Sequence, residues 1–365
     1  MTALQQREQE KTKRHSGKYQ IIDCDVHHTI RDWSDLQPYL AHPWRQRIME
    51  AGSRVGGLGY LSPAGHRRKD AYPPGGGPPG SDAELLQQQL MVENQVDIGI
   101  LTGEIYGWNT HPLHEYANAV MAAWNDWTID HWLTPYPNLR GAIAINSNDP
   151  AAAAAEIDRL GPREDMVMVI MGATSTSPYG QKFYHPIYEA AARHNLPIGM
   201  HPASAGTGIA HPVSAVGYPR TFFEYHTSLP TIFQTQLISI IAEGVFEKFP
   251  TLKWVFIEGG VSWLPQLMWR MDKNYKALRA DAPWVKRMPS EYILEHCFFT
   301  TQPIEEPPNP EWLLQIFAMI QADRTLLYAS DYPHWDFDAL RVINRLPAAY
   351  RQRIFHDNAA ELFNL

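Results

Sequence analysis

Cysteine is nearly absent from this chain: Cys24 and Cys297 are the only two in 365 residues. Two cysteines cannot build the disulfide framework of a small secreted domain. Both lie in apolar, strand-like runs, so they read as buried thiols of a reducing compartment and place the protein in the cytoplasm. Long apolar runs are missing too. A membrane span needs about 20 consecutive apolar residues, no stretch approaches that length, and a membrane is not an expected partner. Positive charge is in deficit, with 31 Lys and Arg against 39 Asp and Glu and a formal net charge of -8. That balance argues against a nucleic-acid partner, because phosphate binding needs a dense basic surface. The short basic cluster His66-Arg67-Arg68-Lys69 falls in loop-like sequence and reads as solvated surface. What the absences leave open is a small-molecule substrate, handled by a chain whose 44% hydrophobic content suffices for a large core. Residues 1–18 read as a charged, disordered tail rather than a signal peptide, and 19–365 as a single domain.

The pattern of that domain is regular. An opening apolar run, Tyr19 to His28, is followed by a helix from about Trp33 to Glu50 and then by a long insertion rich in Gly and Pro, from Gly52 to Gly80. Loops of this length inside a compact domain are often lids or binding loops, and Tyr60 and Tyr72 in it are placed to cap a pocket. Short β-rich runs then recur at Asp97–Leu101, Leu139–Ile145, Met166–Met171, Leu196–Met200, Leu252–Ile257, Cys297–Thr300 and Thr325–Ser330. Helical segments with apolar periodicity lie between them, among them His114–Trp132, His185–His194 and Leu229–Phe249. Eight strands alternating with helices predict an α/β fold, a (β/α)8 TIM barrel, with the insertion after the first strand and helix. A doubly wound open sheet is the alternative, but no GxGxxG or P-loop pattern follows the first strand.

In such a barrel the reacting groups come from the carboxyl ends of the strands. Alternate residues of a strand share a face, so Asp23, Asp25 and His27 project to one side of the first. The fifth strand ends in Met200-His201-Pro202, the sixth in Ile257-Glu258-Gly259-Gly260, and the eighth in Ser330-Asp331-Tyr332-Pro333-His334. Each residue has an ordinary role open to it, as a turn former or a helix N-cap. Their coincidence at matching strand ends points instead to a metal site, since imidazole and carboxylate are common ligands of zinc, iron and manganese. His28 points to the opposite face. Tyr106 and Trp108 after the second strand, Thr300 at the end of the seventh and His334 in the last loop are candidates for the pocket wall. The tryptophans at 124, 127 and 132 share one helical segment and read as packing.

These motifs, with the run Gly244 to Lys253 ahead of the sixth strand, resemble the amidohydrolase-related branch of the amidohydrolase superfamily, which includes aminocarboxymuconate semialdehyde decarboxylase and resorcylate-type decarboxylases. The resemblance spans about Tyr19 to Leu365. It implies a divalent metal held by Asp25, His27, His201 and Asp331, zinc in the first instance with iron or manganese as alternatives. Two departures matter. Asp25 stands where the branch usually has the first histidine of His-x-His, and Glu258 stands where a catalytic histidine usually precedes the two glycines. Glu258 is then either a general base or a further ligand, and as a bridge between two ions it would recruit His226, His28 or His334. The catalytic candidates are accordingly Glu258, Asp331 and His226.

The leading expectation is hydrolysis of a small organic substrate by metal-activated water. Non-oxidative decarboxylation ranks behind it, because its usual histidine acid is missing. A dinuclear iron or manganese oxygenase subunit working with a homologous partner, and a catalytically inert structural partner, complete the set. The resemblance also implies an oligomer, either a homodimer or a hetero-oligomer with a homologous chain.

Overall fold

The computed structural model describes residues 20–52, 67–203, 205–340 and 346–365. The tail 1–18, Tyr60 and His66 lie outside them. Eight parallel strands follow one another in sheet order: β1 (Ile22–Val26), β2 (Ile98–Leu101), β3 (Leu139–Ala144), β4 (Met166–Gly172), β5 (Ile198–His201), β6 (Trp254–Phe256), β7 (Cys297–Thr300) and β8 (Leu326–Leu327). Helices lie between the strands, so each strand is covered outside by helix and inside by the opposite wall, which is why the runs are apolar on both faces. All seven residues of β4 are buried. Closure comes from backbone bonds between the first and last strands: Cys24 N–H donates to the Tyr328 carbonyl at 2.9 Å and His27 N–H to that of Tyr332 at 2.8 Å. The expected (β/α)8 barrel is the fold of the chain. Cys24 and Cys297 are free and buried, and no helix of the described residues is long and apolar enough to cross a membrane.

Three elements differ from the sequence reading in ways that move functional residues. The helix expected from Trp33 to Glu50 is a 3-10 segment, Trp33–Tyr39, followed by a separate helix, Trp44–Ala51. Pro43 sits at the break, lacking the N–H that a continuous helix would use. The helix expected from Leu229 begins a full two turns earlier and runs Phe222–Ala242, despite Pro230. Its start is set by a capping box, in which the Thr221 hydroxyl accepts from Glu224 N–H and the Glu224 carboxylate accepts from Thr221 N–H. Finally, the described end of the insertion returns to the barrel mouth. Arg67 bridges His334, and Arg68 N–H donates to the Pro333 carbonyl at 3.0 Å.

Candidate metal centre

Asp25 and His27 leave β1 on one face of the pleat, His201 ends β5, and Asp331 follows β8. Their ligand atoms all lie within 4.8 Å of one another, and all four residues are buried. His27 Nε2 is 3.4 Å from Asp25 Oδ1 and 2.9 Å from Asp331 Oδ1, while His201 Nε2 is 3.4 Å from Asp25 Oδ2. Asp25 Oδ2, His27 Nε2 and His201 Nε2 are nevertheless without a partner in hydrogen-bond geometry. Buried polar atoms are rarely left so. Three such atoms converging on one point fit a divalent cation, which needs lone pairs rather than aligned donors.

The surroundings orient those lone pairs. His27 Nδ1 donates to the Gly103 carbonyl at 2.7 Å, which leaves Nε2 as the ligand nitrogen. Gly103 has φ +66°, and a Cβ there would lie 2.7 Å from the Trp124 ring, so only glycine lets that carbonyl reach His27. His201 Nδ1 donates to the Pro202 carbonyl at 2.9 Å and lies 2.8 Å from the Tyr106 hydroxyl. Thr102 Oγ1 donates to Asp25 Oδ1 at 2.6 Å, turning Oδ2 inward. Electrostatics point the same way. Burial opposes charge on His27, but the carboxylates of Asp25 and Asp331 outweigh it and lift the imidazole to about 10. Burial likewise pushes Asp25 and Asp331 up, yet the adjacent imidazoles, His27 and His201 for Asp25 and His334 and His27 for Asp331, hold both carboxyls well below the usual range. The cluster takes up positive charge wherever it can find it.

Glu258 lies beside this group rather than within it. Its Oε2 is 3.3 Å from His201 Nε2, and its Oε1 is 3.4 Å from His226 Nε2. Both Glu258 and Asp331 have φ +59°, a left-handed conformation that costs a non-glycine residue about 1–2 kcal/mol. For Glu258 the backbone is pinned by its N–H donating to Thr300 Oγ1 at 3.0 Å. His226 enters from the Phe222–Ala242 helix, so it stands in the second turn of a helix and not ahead of one. Burial lowers its basicity, but the hydrogen bond to Glu258 reverses that and raises its pKa above the ordinary value. His334 packs against His27 with ring centroids 4.4 Å apart, and its Nδ1 donates to Asp331.

These groups open on a cavity of about 210 Å³ lined by Arg67, Glu104, Tyr106, His226, Glu258 and Asp336 among others. Four sequence expectations need correcting. Trp108 does not face this cavity: the 3-10 turn Ile105–Thr110 sends Tyr106 toward His201 and Trp108 into a separate aromatic group with Trp33, His111 and Tyr116. Thr300 is no wall residue either, since its hydroxyl is committed to the backbone of Glu258. Arg67 is not solvated surface, because its side chain is 13% exposed and pairs with Glu104 inside the mouth. His28 is walled off among Trp124, Trp127 and Trp132, where burial drives its imidazole down to about 3. Tyr72 is exposed. One residue escapes the sequence reading altogether, Asp336, and a second, Gln302, enters it only as part of the strand end Thr300 to Pro303, which lines the pocket or simply leaves the strand. Asp336, with Oδ2 3.7 Å from His226 Nε2, is pushed up to about 7 by burial and by Asp331 and Glu258. Gln302 Nε2 donates to Asp331 Oδ2 at 3.2 Å and to Asp336 Oδ2 at 3.0 Å. The one available signal was the second acid five positions after Asp331.

The amidohydrolase family model matches residues 22–365. No curated protein matches the chain. Among solved structures, the chain is similar to 5-carboxyvanillate decarboxylase from Novosphingobium aromaticivorans complexed with manganese, at 19% identity and TM-score 0.72, covering 95% of this chain and 97% of that one. Dihydroxybenzoic acid decarboxylase from Polaromonas sp. JS666 with bound manganese is 20% identical, with TM-score 0.68 and the same coverage. An amidohydrolase from Mycobacterium avium subsp. paratuberculosis is 19% identical, with TM-score 0.71, covering 95% of this chain and 100% of that one.

Proposed function

The chain belongs to the amidohydrolase family, and from that premise we propose that it is a metal-dependent, non-oxidative decarboxylase of a small, ring-sized carboxylic acid. The observation that carries this reading is the placement of a buried Asp25, His27, His201 and Asp331 group beside a proton-holding pair, His226 and Glu258, on one small cavity. The two decarboxylase structures of the same fold, both with manganese, support it over hydrolysis. A cavity of about 150 Å³ holds a benzene ring, so 210 Å³ has room for one substituted ring.

Asp25, His27, His201 and Asp331 would hold a divalent ion, manganese or zinc, which would supply a Lewis acid for the oxygens of an anionic substrate. The side chains do the rest. Arg67 and the rings of His334 and Tyr106 line the approach of an anionic substrate. The bond between ring carbon and carboxylate breaks, its electron pair stays on the ring carbon, and the proton on His226 Nε2 is delivered there as carbon dioxide leaves. Glu258 keeps that proton in place beforehand. His226 thus takes over from the histidine that the sixth strand does not have. The buried thiols fit a reducing cytoplasm, and an oligomer remains the expected state.

The test is carbon dioxide release from a panel of hydroxylated benzoic acids by manganese-loaded protein. We expect turnover on at least one member and, in His226→Ala, a kcat lower by about 100-fold with the Asp25-centred ion retained. No release from any member, or full kcat in the variant, would end this reading. Hydrolysis is the second reading, favoured by the Glu258 carboxylate 3.3 Å from His201, where a general base for water would sit. Ester, lactone and amide panels address it. The oxygenase alternative requires a second ion, and the inert-partner alternative requires that every panel stay silent.

A further inference from the structure

Three clusters of histidine and carboxylate can hold an ion among the described residues: the Asp25 group, His27 with Glu104 and His334, and His226 with Glu258 and Asp336. The middle one already carries a fixed cation, since Glu104 pairs with the Arg67 guanidinium. In the third, Glu258 and Asp336 form ion pairs only with imidazoles among the described residues, with no Lys or Arg paired to either. We propose that His226, Glu258 and Asp336 form a second divalent-cation site that adjoins the first and shares the Glu258 carboxylate with it.

Geometry supports the sharing. The two oxygens of Glu258 divide between the groups, one 3.3 Å from His201 Nε2 and the other 3.4 Å from His226 Nε2. The left-handed backbone of Glu258, held by Thr300, aims the carboxylate between the two imidazoles. One amide, Gln302 Nε2, spans Asp331 of the first group and Asp336 of the other, so the two carboxylates are held at a set separation. Charge supports the number. Asp25, Asp331, Glu258 and Asp336 bring four carboxylates to one pocket, while the guanidinium of Arg67 is matched by Glu104. With one divalent ion the two remaining formal charges must be met by protons, on His226 and Asp336, and a second ion in place of those protons balances the set. One imidazole with two carboxylates suits manganese(II) or iron(II) rather than a soft metal.

Second-site binding is independent of which reaction the first ion serves. Where the decarboxylase reading holds, the second ion and the transferable proton compete for the same nitrogen, His226 Nε2, so filling the second site would suppress turnover. The direct test titrates chelator-treated, full-length protein with Mn²⁺ and follows free Mn²⁺ by its EPR signal. Wild type should bind two ions per chain, the second more weakly, and at saturation give the broadened spectrum of a coupled pair. Asp336→Asn and His226→Gln should each bind one ion and lose the coupled spectrum, with unchanged circular dichroism. Saturation of wild type at one ion overturns the second site and leaves the decarboxylase reading standing. No bound ion overturns both. Two ions retained by both variants would show that the second ion binds elsewhere.

Discussion

At the scale of single residues, the centre is built by side chains whose protons and lone pairs are assigned by their neighbours. His27 is the sharpest case. Its Nδ1 proton is held by the Gly103 carbonyl, while Asp25 and Asp331 keep a second proton on Nε2, with a pKa of about 10 in the metal-free protein. A metal must displace that second proton. Below about pH 10 the imidazole is protonated, the ion competes with a proton, and affinity should therefore rise with pH, by close to tenfold per unit across pH 6–8. Calorimetric titration with Mn²⁺ in buffers of different ionisation enthalpy should report about one proton released from His27 per first ion. Release near zero would mean that His27 is not a ligand. The four members of the buried Asp-His-His-Asp group were legible as neighbours in the sequence, because each lies at a strand end and strand ends converge in a barrel. Asp336, the bond of Gln302 to it and the inward turn of Arg67 were not. These residues reach the site from loops, where no periodicity tells which way a side chain turns.

Single elements decide where the second row of polar groups stands. The Phe222–Ala242 helix carries His226 to the cavity, and its start is fixed by the reciprocal bonds of Thr221 and Glu224. Thr221→Ala removes half of that box and should cost about 1 kcal/mol of stability, measured by urea denaturation. Because the cap sits five residues before His226, fraying should also weaken the second Mn²⁺ site while sparing the first; loss of both equally would point to a general fold defect. The Thr-x-x-Glu signature was present in the sequence, but apolar periodicity alone set the expected start at Leu229. A proline inside a helix removes one hydrogen bond, and here the packing of Leu229, Phe233 and Leu237 in the core compensates. A similar local choice separates Tyr106 from Trp108. Both lie in one aromatic, glycine-containing stretch, and only the 3-10 turn sends one to His201 and the other into packing.

For the whole molecule, the first site joins β1, β5 and the segment after β8, including the seam where the barrel closes. An ion there binds the folded chain and not the unfolded one. At a free concentration 1,000 times Kd it should stabilise the fold by about 4 kcal/mol. Thermal unfolding with and without a chelator measures this, and Asp331→Ala and His201→Ala should lose both the ion and the shift. Variants that keep full metal content would refute the ligand assignment.

The sequence by itself determined the architecture and the meeting of four buried metal-ligating side chains. Alternation of apolar runs and helical periods is a local pattern, and a barrel converts strand order directly into spatial order, so Asp25, His27, His201 and Asp331 could be placed together before any coordinates. Tertiary structure alone decided what surrounds them: Glu258 turned toward His226, Asp336 and Gln302 bracketing the pair, Arg67 folded inward, and Trp108 and His28 turned away. Those outcomes depend on loop paths and on a left-handed backbone at Glu258, which are set by long-range packing and hydrogen bonds rather than by any repeat within the chain.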